Sequence, residues 1–311
     1  MLSHRWVSSE TGPLDDAAIV SPELGAQGSL VLTLDVITPV VDDPVAFGQI
    51  AAANALSDVY AMGGDPQVAL SFVGIPDAVP LDVLAAILRG VTEKCHEAGC
   101  AIVGGHSIRD SEPKVGLAVV GSVDHARAWT HKRALAGQRL LLTKPIGTGV
   151  IAQAARSDRA AADSVGLATR WMARLNRHAK AVGVSHGATA ATDVTGFGLL
   201  GHLEHIVAAS GLEARLNVAA IPLLPGALDA AREGLVPGGS KRNLRYVEAH
   251  LSGAAALAPE LLTVLADAQT SGGLLLCLPA ERAESALAEL GEGAALVGEL
   301  VSGTAGRIAL E

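Results

Sequence analysis

Apolar residues fall along this chain both in short runs and in helical stripes, and the two patterns take turns. Ser29 to Asp35 (SLVLTLD) is an apolar-rich run of strand length that ends on a carboxylate. Asp42 and Asp43 stand before Pro44, the arrangement of a capped helix start, and FGQIAAANALSDVYAM then runs to the stop Gly63-Gly64. Within that helix Asn54 and Asp58 share a face beside small alanines, which leave room for a ligand to approach. Gln67 to Ile75 predicts a strand. Leu81 to Gly99 predicts an amphipathic helix with Leu84, Leu88, Val91 and Cys95 on its apolar stripe. Cys100 to Val103 predicts a short strand opening directly into Gly104-Gly105-His106-Ser107, and Val115 to Val123 another strand.

The pattern resets around Ala134 to Gln138, which places a domain boundary there: residues 1–136 and residues 137–311. Beyond it, Arg139 to Thr143 predicts a strand, followed by the turn Lys144 to Gly149 and an Ala-rich helix. Ala190 to Gly196 leads into a helix from about Phe197 to Ser210, Glu213 to Val218 alternates as a strand, and Leu274 to Leu278 is a fully apolar one. The mixture of strands and helices throughout predicts an α+β or α/β protein of two domains.

The length of 311 residues, half of them hydrophobic, agrees with two domains at roughly 150 residues each. A net charge of -9 with few Lys and Arg argues against nucleic acid or an anionic membrane as a partner, since both demand clustered cations. The scarcity of aromatic residues, 3%, removes stacking platforms for bases and points the same way. No apolar stretch reaches the ~20 residues of a membrane span, and Met1 to Gly12 has neither the basic start nor the apolar core of a signal peptide. These features predict a cytoplasmic protein acting on small molecules. Cys95, Cys100 and Cys277 lack metal-type spacing and read as structural thiols.

Candidate chemistry centres on aspartates set at strand ends or helix faces in apolar surroundings: Asp15, Asp16, Asp35, Asp58, Asp193 and Asp267. A carboxylate there is costly unless paired, hydrogen-bonded or bound to a cation. Mg2+ takes one or two carboxylates together with substrate phosphates, so several converging aspartates suit ions clamping a polyphosphate. Taken singly, each reads first as a cap or turn residue, the role assigned to Asp42 and Asp43. Gly104 to Ser107 reads either as a backbone cradle for a ligand or as a glycine turn with a satisfied histidine. The Lys144 to Gly149 turn lacks P-loop spacing and reads as a plain turn, with Thr270 to Gly273 left open between the same alternatives. His202 and His205 sit three apart without an HExxH pattern and read as a solvated helix face.

At these residues the chain resembles the selenophosphate synthetases (selenide, water dikinases), within a superfamily that includes aminoimidazole ribonucleotide synthetase and hydrogenase-maturation proteins. The resemblance rests on DDAA (Asp15 to Ala18), the segment TLDVITPVVDDP with FGQIAAANALSDVYAMGG (Thr33 to Gly64), VGGHSI (Val103 to Ile108) and LTKPIGTGV (Leu142 to Val150). It continues in TDVTGFGLLGHL (Thr192 to Leu203), VPGG with Arg242-Asn243, and QTSGGLL (Gln269 to Leu275), almost end to end.

The resemblance implies an N-terminal half whose strands form a barrel-like dimer interface and a C-terminal α/β half. It implies that ATP, selenide and water become selenophosphate, AMP and phosphate. Carried over position by position, Asp16, Asp58 and Asp193 would hold Mg2+ on the phosphates, with Asp35 acting on both nucleotide and metal. Asp15, Asp58 and Gly105, His106 and Ser107 would contact ATP, and a homodimer is expected. The family also carries, upstream of its DDAA block, a glycine-rich segment with a reactive Cys or selenocysteine and a Lys. On the resemblance this chain is expected to begin downstream of them, which leaves the catalytic residues unassigned. Three origins stand open: a shortened chain, a Mg-ATP-binding relative without synthetase activity, or a selenocysteine UGA read as a stop. An in-frame TGA within a glycine-rich frame upstream of Met1 would mark the third. A superfamily ATPase with another substrate is the remaining alternative. Asp267-Ala268 departs from the family's usual Asp-Pro, which should relax one turn.

Overall fold

Residues 15–20 and 28–311 are described by the computed structural model, and the chain divides into two units. The first holds the described residues through Ala128 together with Met172–Arg177; the second holds Trp129–Trp171 and His178–Glu311. The reading of Met1 to Gly12 falls outside the described residues.

The first unit is built from β1 (Ala18–Val20), β2 (Ser29–Ile37), α1 (Pro44–Ala61), β3 (Asp65–Ile75), α2 (Leu81–Ala98), β4 (Ala101–Arg109) and β5 (Lys114–Val123). Its sheet runs β1-β2-β5-β3-β4, antiparallel except for the parallel pair β3 and β4. Register sets the two faces. Val31, Val115, Leu117 and Val119 are buried, beneath α1, whose Ala51, Ala52, Ala53 and Ala55 are buried as well. The opposite face carries Leu32, Leu34, Val36, Leu70 and Ile108, all exposed. These described strands make an open sheet with helices on one side.

Helix α1 starts where Asp43 accepts a hydrogen bond from the Ala46 amide at 2.7 Å and Pro44 fills the first position, so its orphan donors are few. Helix α2 ends at Gly99, in the left-handed region at φ 73°, with the Cys100 amide closing onto the Cys95 carbonyl at 2.9 Å. The buried side of α2 is Ile87, Gly90, Val91 and Cys95. The two helices meet backbone to backbone. A Cβ at Gly48 would lie 2.0 Å from the Ile87 carbonyl oxygen, and one at Gly90 would lie 2.1 Å from that of Val45. Neither clash can be relieved by turning a side chain, because the obstacle is main chain. Gly48→Ala and Gly90→Ala are each expected to cost about 1–3 kcal/mol in urea unfolding, as overpacked cores do; unchanged midpoints would show that the helices separate freely.

Gly104 to Ser107 is a correction to the sequence reading. These residues are not a turn following a strand but the middle of β4, where the register against β3 shifts between Ala69 and Leu70 and Gly104 takes φ 153°. Parallel pairing with β3 continues through Arg109, which carries the glycines along as strand residues.

The second unit contains β6 (Arg139–Leu142), α3 (Thr148–Arg156), α4 (Ala162–Ala173), whose last two residues fall to the first unit, α5 (Arg177–Ser185) and β7 (Ala190–Asp193). It continues through α6 (Gly198–Ser210), β8 (Glu213–Leu216), α7 (Ala227–Arg232), α8 (Gly238–Val247) and β9 (Leu251–Ser252). It closes with α9 (Pro259–Leu265), β10 (Leu274–Leu278), α10 (Ala280–Leu290), β11 (Ala295–Val301) and β12 (Arg307–Leu310). The sheet order is β7-β10-β6-β11-β8-β12-β9, with β12 parallel to both β8 and β9 and every other pair antiparallel. Leu140 to Leu142 and Leu274 to Leu278 are fully buried, which is why both read as continuous apolar runs rather than alternating ones. No helix among the described residues is long and apolar enough to cross a membrane.

Candidate active site

In the first unit the carboxylates gather between β2 and α1. Thr33 and Asp35 sit two apart on β2 and so share its helix-side face, while Asn54 and Asp58 sit one turn apart on α1 and face back toward them. The Thr33 hydroxyl donates to Asp58, and the Asn54 amide donates to Asp35 at 2.6 Å. The strand and the helix thus cross-brace each other through two carboxylates. Asp35 is pushed up to about 6 by its burial, with the nearby negative charge of Asp16 adding to the rise and the Asn54 hydrogen bond opposing it. A carboxylate that is held buried against another negative charge is in the setting that a cation relieves. The donor set is all oxygen and so fits Mg2+. Among the described residues no three His, Cys, Asp or Glu side chains close around an ion by themselves.

Strand register places the remaining nucleotide candidates. Asp35 pairs with Leu117, Leu117 with Ser71, and Ser71 with Gly105, so Asp35 and Gly105 lie in one row on the helix side. Three strand spacings put them on the order of 14 Å apart, more than one phosphate can bridge. Ser107 shares that face, in the row of Val73, Val115 and Ile37. His106 pairs with Phe72 and points to the opposite, open face. Asp15 and Asp16 are half-buried, immediately before β1. The unit therefore braces Asp35 and Asp58 between β2 and α1, sets Asp16 near enough for its charge to act on Asp35, places Gly105 and Ser107 farther along the same face, and sends His106 to the other.

Asp193 lies in the second unit, buried at the end of β7 and paired with Leu274. The connection from it to α6 is held by main chain and side chains together. The Val194 amide donates to the Gly273 carbonyl at 2.8 Å, Gln269 N to the Thr195 carbonyl at 2.9 Å, and Asn243 Nδ2 to the Gly196 carbonyl at 2.9 Å. His202 and His205 are buried rather than solvated, because α6 is enclosed from Gly198 to Val207. Phe197, itself half exposed, sets its ring edge-on to both imidazoles at 5.6 and 5.1 Å.

The Lys144 to Gly149 turn spends its polar groups inside the unit. Gln269 Oε1 accepts from the amides of Gly147 and Thr148 at 2.8 and 3.0 Å, and Asp267 accepts from the Val150 amide at 3.1 Å. Lys144 is buried and donates to the Ser271 carbonyl at 3.0 Å. Asp267 is pushed up to about 6 by burial, against the pull of hydrogen bonds from Ser240, Val150, Gln269 and Gly149. Its carboxylate organises the start of α3. Cys95, Cys100 and Cys277 are free and buried.

The sequence pattern marks the carboxylates and Asn54, which holds Asp35, but passes over Thr33, which holds Asp58. Thr33 carried a usable signal, since it stands two positions before Asp35 and so on the same strand face; His202 carried none, because its role depends on the fold of a loop.

The fold is shared with known proteins. The family model for the AIR synthase related protein, N-terminal domain, matches residues 14–123, and that for the C-terminal domain matches residues 136–311. Solved structures agree on the fold. The hydrogenase maturation protein HypE in complex with ATP superposes with a TM-score of 0.71 at 22% identity, covering 98% of this chain and 87% of that one. Thiamine monophosphate kinase from Aquifex aeolicus gives 0.70 at 18%, covering 96% and 92%. The selenide, water dikinase of Bordetella bronchiseptica is 45% identical over 301 residues, 96% of this chain and 86% of the relative. That of Myxococcus xanthus is 46% identical over 297 residues, 94% and 84%. The chain belongs to the selenide, water dikinase family, within the AIR synthase related proteins.

Proposed function

We propose that this chain is a selenide, water dikinase: it converts ATP, selenide and water to selenophosphate, AMP and phosphate. Both phosphoanhydride bonds of ATP break, one phosphoryl group ending on selenium and the other on water. The observation that carries the reading is the bracing of Asp35 and Asp58 between β2 and α1, with Asp35 raised toward 6 by burial and by the nearby charge of Asp16. Phosphoryl transfer asks for positioned charge more than for a protein nucleophile, and that is what this arrangement offers.

In this reading Asp16, Asp35, Asp58 and Asp193 hold Mg2+, and Asp15, Asp35, Asp58, Gly105 and Ser107 meet the nucleotide, while His106, on the opposite face of the sheet, lies apart from them. Bound there, Mg2+ neutralises the charge on the phosphates. Asn54 and Thr33 keep Asp35 and Asp58 aimed from opposite elements, so the carboxylates need not reorganise when ATP arrives. The separation of Asp35 from Gly105 along one sheet row, about three strand spacings, matches a ligand extended like a nucleoside triphosphate rather than a compact one. Cytoplasmic residence fits the three free, buried thiols. The exposed apolar face of the first sheet fits a homodimer.

Chromatography of nucleotide products after anaerobic incubation with Mg-ATP, with and without selenide, tests the proposal. AMP that forms only with selenide is the expected result. ADP alone would identify an ATPase acting on something else, and bound but unconsumed ATP would identify a binding protein.

A further inference from the structure

His202 projects from α6 back onto residues 192–197, the segment around Asp193. Its contacts fix which ring nitrogen carries hydrogen. The Thr195 and Phe197 amides can only donate, and both meet Nε2, at 3.1 and 3.4 Å, so Nε2 accepts; the Thr192 hydroxyl lies 3.1 Å from Nδ1. Nδ1 is therefore the protonated nitrogen. Nε2 then offers a lone pair, and toward it come the Thr195 amide at 3.1 Å, the Thr195 hydroxyl at 3.2 Å and the Phe197 amide at 3.4 Å. His202 thus spans Asp193, gripping Thr192 before it and Thr195 and Phe197 after it, while the Phe197 ring lies edge-on against the imidazole.

The other anchors of this segment, Gly273, Gln269 and Asn243, each hold one residue after Asp193. What His202 adds is a tie between the end of β7 and the turn that follows, at the point where the direction of the Asp193 side chain is decided. We propose that His202 is a positioning residue that fixes the Asp193 carboxylate for Mg2+-dependent ATP binding, a claim that rests on the assignment of Asp193 made above.

The test compares His202→Ala, His202→Asn and His202→Gln with Asp193→Asn. Gln can place an amide oxygen where Nε2 sits and so still accept from Thr195 and Phe197. Asn keeps a donor near the Nδ1 position but does not reach the two amides. In the metal-free protein, hydrogen exchange at the Thr195 and Phe197 amides is expected to quicken about tenfold in the Ala and Asn variants and to stay near wild type in Gln. Calorimetric titration of ATP at graded Mg2+ is expected to show half-saturating Mg2+ raised about tenfold in Ala and Asn and by less than about threefold in Gln. A merely structural role would lower the melting temperature of the variants without moving the Mg2+ requirement. If Ala does not fold, the Asn and Gln pair decides. Unchanged Mg2+ half-saturation in the Asn variant, with Asp193→Asn shifted, overturns the positioning role alone. No shift in Asp193→Asn removes the assignment of Asp193 itself, and the positioning role falls with it.

Discussion

Asp58→Asn is expected to weaken Mg-ATP binding at least about thirtyfold, roughly 2 kcal/mol, while the protein stays folded. The two halves of that expectation come from different features of the residue. Asp58 is buried on α1 and accepts a hydrogen bond from the Thr33 hydroxyl. An Asn side chain of the same shape still offers an amide oxygen to that hydroxyl, so the brace between β2 and α1 persists and no cavity opens. What disappears is a negative charge in a partly desolvated place, where an interaction with a cation is screened far less than at the surface. Losing one member of such a charge-assisted contact typically costs about 2–5 kcal/mol, most of it from the partner left uncompensated. Asp193→Asn in the second unit is expected to act in the same direction. Calorimetry at saturating Mg2+, with circular dichroism to confirm the fold, reads both. Affinity unchanged in both variants would mean that these carboxylates do not hold the metal, whatever the product assay shows.

The elements of this fold were legible wherever one local rule decided them. Asp43 and Pro44 start α1, Gly99 ends α2, and Leu274 to Leu278 form a strand with the bounds that their apolar run predicts, because caps and buried runs are short-range signals. The glycines of β4 were misjudged for the converse reason. Gly104 and Gly105 mark a turn by composition, yet pairing with β3 draws them into the sheet, and pairing is a long-range event. The histidines of α6 failed in the same way. A helix with His202 and His205 reads as half polar, but α6 is enclosed on all sides, and the polarity is consumed by a loop that returns to meet it. Carboxylates were the most readable part of the site, since an aspartate amid aliphatic residues is costly in any fold. Their grouping was not readable: that Asp16 raises Asp35, and that Thr33 answers Asp58, follows from the register of β1, β2 and α1. Lys144 to Gly149 shows the opposite case, a motif of phosphate-binding composition whose amides the fold assigns to Gln269 and Asp267 instead.

Leu34→Glu is expected to convert the proposed homodimer to monomers, raising its dissociation constant at least about a hundredfold by sedimentation velocity. Leu34 is 64% exposed on the open face of the first sheet. In its row lie Ala118, Leu70 and Gly104, and the rows on either side carry Leu32 and Val36, so the face is apolar across strands rather than at one point. A chain with a net charge of -9 does not lack polar residues to put there, and the run of exposed aliphatic side chains across this sheet face argues that the face is covered. A two-fold interface uses the same patch from both copies, so each substitution is met twice. Two lost leucines at about 1.5–3 kcal/mol each already exceed the roughly 2.7 kcal/mol that a hundredfold change requires. Two like charges brought together add to it. The substitution lies on the face opposite Asp35 and α1, so the carboxylate site of an isolated monomer should keep its geometry. A wild-type chain that sediments as a monomer at micromolar concentration would remove the dimer from the proposal. A Leu34→Glu chain that still sediments as a dimer would place the interface on another surface.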